Sequence, residues 1–64
     1  MSKKNIAREA HKDLRDAQKS AKRASEKFKV IGDPDGKKLA DNAADAADEG
    51  ANYVEKRLSD GPPR

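Results

Sequence analysis

Cysteine and tryptophan are absent from this 64-residue chain, which contains a single phenylalanine and a single tyrosine. The absence of cysteine excludes disulfides and thiol chemistry, and because small secreted domains commonly depend on disulfides, it favours a cytoplasmic protein. No long apolar run follows the charged N-terminus, so we expect neither a signal peptide nor a membrane span. The scarcity of large apolar residues leaves little material for a core, which favours one small domain covering residues 1–64.

Side chains suited to catalysis or metal binding are also scarce. His11 is the only histidine, and no cysteine or second histidine is available to complete a metal site or a nucleophilic relay. The segment 33–36, Asp-Pro-Asp-Gly, starts like a calcium loop but is too short to be one. No glycine-rich phosphate loop occurs. The sequence therefore predicts a protein that is not an enzyme and has neither a metal nor a cofactor.

Charged residues make up 42% of the chain, and small apolar residues recur among them with helical spacing. One predicted seam advances by alternating steps of three and four residues, which is the spacing of a single helix face. It consists of Ala7, Ala10, Leu14, Ala17, Ala21, Ala24, Phe28 and Ile31. Five of these eight residues are alanine, so the seam favours close backbone approach over bulk and needs a partner helix.

The second half of the chain has a broader apolar face. Its predicted packing residues are Leu39, Ala40, Ala43, Ala47, Gly50 and Val54. One helix can cover only part of such a face, so the remainder favours a second hairpin or a foreign helix as a partner. A glycine in the middle of a helix is unfavourable by about 1 kcal/mol relative to alanine, and we interpret Gly50 as a point of close backbone approach.

Capping residues predict where two helices begin and end. The stretch Ser2–Asn5 supplies N-caps, Gly32 supplies a C-terminal stop, and Asp33 caps a second helix with Pro34 at its first position. We therefore predict an all-α, antiparallel two-helix hairpin that dimerises into a four-helix bundle. The predicted segments are a helix at about 4–31, a turn at 32–36, a helix at about 34–59 and a short tail at 60–64.

Outward-facing charge is segregated by sign. Residues 1–32 carry ten basic and four acidic side chains, whereas residues 33–64 carry five and eight. A predicted basic ridge on the first helix consists of Arg8, Lys12, Arg15, Lys19, Lys22 and Lys29. A predicted acidic ridge on the second helix consists of Asp41, Asp45, Asp48 and Glu55. These ridges are either solvated helix backs or binding surfaces. Like charges on neighbouring turns are slightly unfavourable, which invites a functional explanation.

The layout of two nearly equal helices and one tight turn resembles that of plasmid copy-number regulators of the Rop type. That resemblance implies a dimeric four-helix bundle that binds paired RNA through its first helices. The present chain differs because its seam is mostly alanine and its basic ridge carries no aromatic residue. The RNA-contacting positions of that family are therefore not transferred to this sequence.

Two functions remain open from the sequence. The first is a small regulatory module that binds itself and a protein partner through its alanine-rich faces. The alternative is a dimer that binds RNA or DNA with the basic ridge, which could follow a phosphate backbone.

Overall fold

In the computed structural model, which describes residues 2–60, the chain forms two α-helices joined by a tight turn. Helix α1 spans Lys3–Ile31 and helix α2 spans Pro34–Asp60. The helices pack side by side and antiparallel, because Arg15 contacts Asp48 while the later residue Ser25 contacts the earlier Asp41. The predicted helical hairpin is therefore confirmed. Of the predicted tail, residues 61–64 lie outside the described part of the chain.

Side-chain caps begin both helices. The Ser2 hydroxyl accepts a hydrogen bond of 3.1 Å from the Asn5 N–H, and the Asp33 carboxylate accepts one of 3.0 Å from the Gly36 N–H. Pro34 occupies the first turn of α2, where its missing N–H leaves no hydrogen bond unmade. The capping residues predicted for both helix starts are thus confirmed.

The turn begins where α1 ends, at Gly32. This glycine has φ of 74°, a left-handed conformation that other residues adopt only with strain. The Gly32 N–H donates to the Lys29 carbonyl, and the Asp33 N–H donates to the Phe28 carbonyl at 2.9 Å. These two hydrogen bonds form a Schellman motif, which satisfies the last carbonyls of α1 and reverses the chain within two residues.

The contact between the helices consists mainly of small side chains. Ala40, Ala44, Ala47 and Ala51 of α2 are buried, and Ala51 is 0% exposed. Within residues 2–60 no large side chain is fully buried. We call the facing residues the contact seam. On α1 these are Ala7, His11, Leu14, Gln18, Ala21, Ser25 and Phe28, and on α2 Ala40, Ala44, Ala47, Ala51, Val54 and Leu58.

Helix α1 is rotated relative to the predicted seam. The column of Ala7, Leu14, Ala21 and Phe28 belongs to both the predicted and the observed contact. The second observed column is His11, Gln18 and Ser25, whereas the predicted residues Ala10, Ala17 and Ile31 are exposed and Ala24 is partly buried. On α2, Leu39 and Ala43 are likewise exposed. Hydrogen bonding across the helices favours the rotation, because Ser25 donates to Asp41 of α2 and Arg15 to Asp48.

Candidate interaction surfaces

Arg15 is the centre of a polar network across the hairpin. Its Nη1 donates to Asp48 at 2.6 Å and to Gln18 at 2.8 Å, while its Nη2 donates to Glu55 at 2.8 Å and to Asn52 at 3.1 Å. The hydrogen bond to Asp48, joined by that to Glu55 and opposed by partial desolvation, raises the pKa of the Arg15 guanidinium. Four acceptors thus hold one side chain and fix how α1 lies on α2.

Asp41 is a second point of polar contact, nearer the turn. Its carboxylate accepts hydrogen bonds from the Lys37 ammonium at 2.8 Å and from the Ser25 hydroxyl on the opposite helix. The hydrogen bond from Lys37, followed by that from Ser25, lowers the pKa of Asp41, and Asp41 in turn raises the pKa of Lys37. The ion pair keeps both groups charged near neutral pH, and the hydrogen bond from Ser25 joins α1 to α2.

His11 lies within the contact seam rather than in a site for chemistry. Its Nε2 is 3.5 Å from a Glu55 carboxylate oxygen, and among the described residues this buried atom has no hydrogen-bond partner. Nowhere in residues 2–60 do three or more histidine, aspartate or glutamate side chains converge as metal ligands do.

These contacts define a polar face on one broad side of the hairpin. Its members are Arg15, Ser25, Lys37, Asp41, Asp48, Asn52 and Glu55. The basic and acidic ridges meet across the hairpin, because Arg15 of one pairs with Asp48 and Glu55 of the other. The remaining members of the ridges are exposed, namely Arg8, Lys12, Lys19, Lys22 and Lys29 on α1 and Asp45 on α2.

The opposite broad side is a small-residue face. Helical periodicity places on it the columns that flank the contact seam away from the polar face. They comprise Ala10, Ala17, Ala24 and Ile31 of α1 and Gly36, Leu39, Ala43, Ala46, Gly50 and Tyr53 of α2. The three large members are strongly exposed, with Ile31 at 72%, Leu39 at 70% and Tyr53 at 64%. Three of the five large apolar side chains that are exposed in residues 2–60 thus lie on the side that carries no ion pair among those residues.

Two glycines on the small-residue face accommodate side chains that rise from α1. A Cβ placed on Gly36 would lie 2.6 Å from Cε1 of Phe28, and one placed on Gly50 would lie 3.2 Å from Cδ2 of Leu14. The group that approaches Gly50 within the hairpin is therefore a side chain and not a second backbone, which corrects the interpretation drawn from the sequence. Both glycines let the two largest α1 seam residues reach across the contact.

No family model, curated protein or solved structure matches this chain. Among residues 2–60 there is also no helix with an apolar stretch of the length that a bilayer crossing needs.

Proposed function

We propose that this chain is a small, non-enzymatic interaction module, which docks against helices of another protein chain through the small-residue face. Two hairpins joined in this way make a four-helix assembly. The observation that carries the proposal is the separation of the two broad faces. Ion pairs and cross-helix hydrogen bonds occupy the polar face, whereas Ile31, Leu39 and Tyr53 are exposed on the other.

The energetics of burial support docking through this face. The contact seam buries mainly methyl groups, each of which contributes only about 0.8 kcal/mol. Complete burial of a side chain such as Leu39 contributes roughly 1.5–3 kcal/mol, and small neighbours such as Ala43 and Ala46 allow a partner helix to approach closely. Covering a large side chain such as Leu39 therefore contributes more than burying one methyl group of the contact seam.

Nucleic-acid binding through the basic ridge is the weaker candidate. Arg15 donates its hydrogen bonds to Asp48, Asn52 and Glu55, so one member of the ridge is already engaged. Carboxylates also lie directly beside the ridge on the polar face, where they would repel a phosphate backbone.

A matched pair of substitutions on α2 tests the proposal. Ala43 is exposed on the small-residue face, whereas its neighbour Asn42 is exposed on the outer side of α2. Each of Ala43→Glu and Asn42→Glu adds one negative charge to the same turn of the helix. Burial of the new carboxylate at Ala43 should weaken association at least about tenfold in Kd, whereas Asn42→Glu, at the outer edge of the face, should weaken it by no more than about twofold.

Sedimentation equilibrium and thermal melting measured by circular dichroism provide the readouts. The melting temperature of the unmodified chain should rise with protein concentration between about 5 and 500 μM, because association stabilises the folded state by mass action. Helical content confirms that each variant folds. A monomer at every concentration with no bound protein partner, or equal effects of the two substitutions, would contradict this function.

A further inference from the structure

The outer rim of the small-residue face on α1 carries charges that change sign halfway along the helix. The rim consists of Glu9, Asp13, Asp16, Arg23 and Lys27, with the acids in the first half and the bases in the second. None of these side chains takes part in an ion pair within residues 2–60. The rim is therefore a dipolar row beside an uncovered apolar surface.

Neighbours within α1 account for only part of this arrangement. Glu9 and Asp16 have Lys12, and Arg23 has Glu26, at three or four positions, whereas Asp13 and Lys27 have no opposite charge at that spacing. The residues three and four positions from Asp13 are Glu9, Ala10, Asp16 and Ala17, so its charged neighbours have the same sign. Like charges at this spacing destabilise a helix by about 0.2–0.5 kcal/mol per pair. Lys27 is in the equivalent situation, because its only charged neighbour at three or four positions is a base, Arg23. An opposite charge placed beside Asp13 or Lys27 would therefore come from outside the helix.

We infer that a second copy of this chain covers the small-residue face in an antiparallel arrangement, with α1 on α1 and α2 on α2. The inference rests on the proposed function of this face. A two-fold axis perpendicular to the helices reverses the direction of α1, so Asp13 faces Lys27 of the second copy and Asp16 faces its Arg23. The symmetry repeats each pair, giving four contacts between opposite charges.

The same two-fold axis also brings apolar residues of α2 in the two copies opposite each other. Asp13 and Lys27 are each seven residues from Ser20, and on α2 Leu39 and Tyr53 are each seven residues from Ala46. These two centres lie at one level of the hairpin, because the contacts of Arg15 with Asp48 and of Ser25 with Asp41 place residue 20 beside about residue 45. Leu39 therefore meets Tyr53 of the second copy, and the alanines at the centre pack together.

The other two-fold arrangement fits less well. An axis parallel to the helices would lay α1 on α2 of the second copy. At that register Glu9 would face the oppositely charged Lys56, but Asp16 would face the like-charged Glu49 and Lys27 would lie over the apolar Leu39. The broad side of the hairpin measures about 51 by 19 Å, so either stack has room for the roughly 800 Å² per partner of a stable interface. The rim charge therefore selects the antiparallel form.

Charge reversal tests the arrangement. Asp13→Lys or Lys27→Asp alone should each weaken self-association about fivefold to twentyfold in low salt, because two contacts between like charges replace two between opposite charges. The double variant Asp13→Lys/Lys27→Asp should return Kd to within about twofold of the unmodified chain. The two positions are about 21 Å apart along α1, so this rescue reports a contact between copies.

Mixing the two single variants gives a sharper test. In a heterodimer of Asp13→Lys with Lys27→Asp, every contact between these positions joins opposite charges, so the mixture should associate about as tightly as the unmodified chain. Unmodified chains that stay monomeric, while Ala43→Glu still abolishes binding to another protein, would overturn the second copy as occupant and leave the proposed function standing. If Ala43→Glu weakens dimerisation but neither charge reversal changes it, the antiparallel arrangement is overturned while the second copy stands as the occupant of the face.

Discussion

Gly50 lies in the middle of α2, and the methyl groups of Leu14 lie next to the position that a Cβ would occupy there. The sequence identified Gly50 as a position of close approach, but it could not name the approaching group. That group depends on the rotation of α1, which brings Leu14 rather than a second backbone to this point. The same holds for Gly36, whose contact with Phe28 follows from the geometry of the turn.

Replacing Gly50 with alanine should therefore have an effect that depends on Leu14. Alanine gains about 1 kcal/mol of helix propensity, but its Cβ would lie 3.2 Å from the Leu14 Cδ2 and force that side chain to move. We expect these effects to nearly cancel, so that Gly50→Ala changes the free energy of unfolding by less than about 0.5 kcal/mol.

In a Leu14→Ala background the same substitution should stabilise the protein by about 1 kcal/mol, because the steric opposition is gone. Urea unfolding of the four chains in a double-mutant cycle measures the coupling between the two sites. Equal effects of Gly50→Ala in both backgrounds would refute the contact.

The helices themselves could be predicted closely because their ends carry strong local signals. Ser2, Gly32 and Asp33 each make the capping interaction that their residue type favours. The rotation of α1 could not be predicted, because the apolar residues on its two candidate seams are mostly alanine. A methyl group contributes about 0.8 kcal/mol, which is no more than one hydrogen bond contributes. The polar contacts of Arg15 and Ser25 therefore decide which side of α1 faces α2.

The link between the helices near the turn should depend on pH through Asp41. Hydrogen bonds from Lys37 and Ser25 lower the pKa of Asp41 in the folded chain. A lowered carboxyl pKa gives stability that is present above the ordinary range near 4 and is lost as the pH falls through the folded value. The raised pKa of Lys37 acts at the other extreme, where its contribution disappears only as the pH rises above about 10.5.

Asp41→Asn should accordingly reduce the loss of stability on acidification from about pH 5 to pH 2. Asp45→Asn on the same helix is the matched control, because Asp45 is exposed and takes part in no ion pair among the described residues. The urea midpoint measured across this range gives the comparison. Identical pH profiles for the two variants would show that the Asp41 contact contributes nothing to folding.

Across the whole molecule, a net charge of +3 conceals a basic first half and an acidic second half. Both ridges could be identified from the sequence, but the ion pairs between them could not. Folding brings them together, because an antiparallel hairpin places Arg15 beside Asp48 and Glu55. The hairpin is thus a plate with one charged face and one apolar face, a property that neither helix has alone.

We therefore expect little affinity for nucleic acid. Duplex RNA or DNA should bind no more tightly than about 10⁻⁴ M at physiological salt, which is the weak end of non-specific binding. Fluorescence anisotropy at two salt concentrations measures this affinity. Tight, salt-dependent binding that falls when Arg15, Lys19 and Lys22 are changed to glutamine would instead favour the nucleic-acid function.

The polar face gains a further role in binding when two hairpins stack through their small-residue faces. Both polar faces then point outward on the two sides of a slab roughly 20 Å thick, so the assembly presents the same row around Arg15 and Asp48 twice. A partner that recognises this row with two linked segments gains avidity without any new contact. A partner with a single segment is instead joined to a second molecule of its own kind, so that the pair of hairpins becomes a bivalent connector.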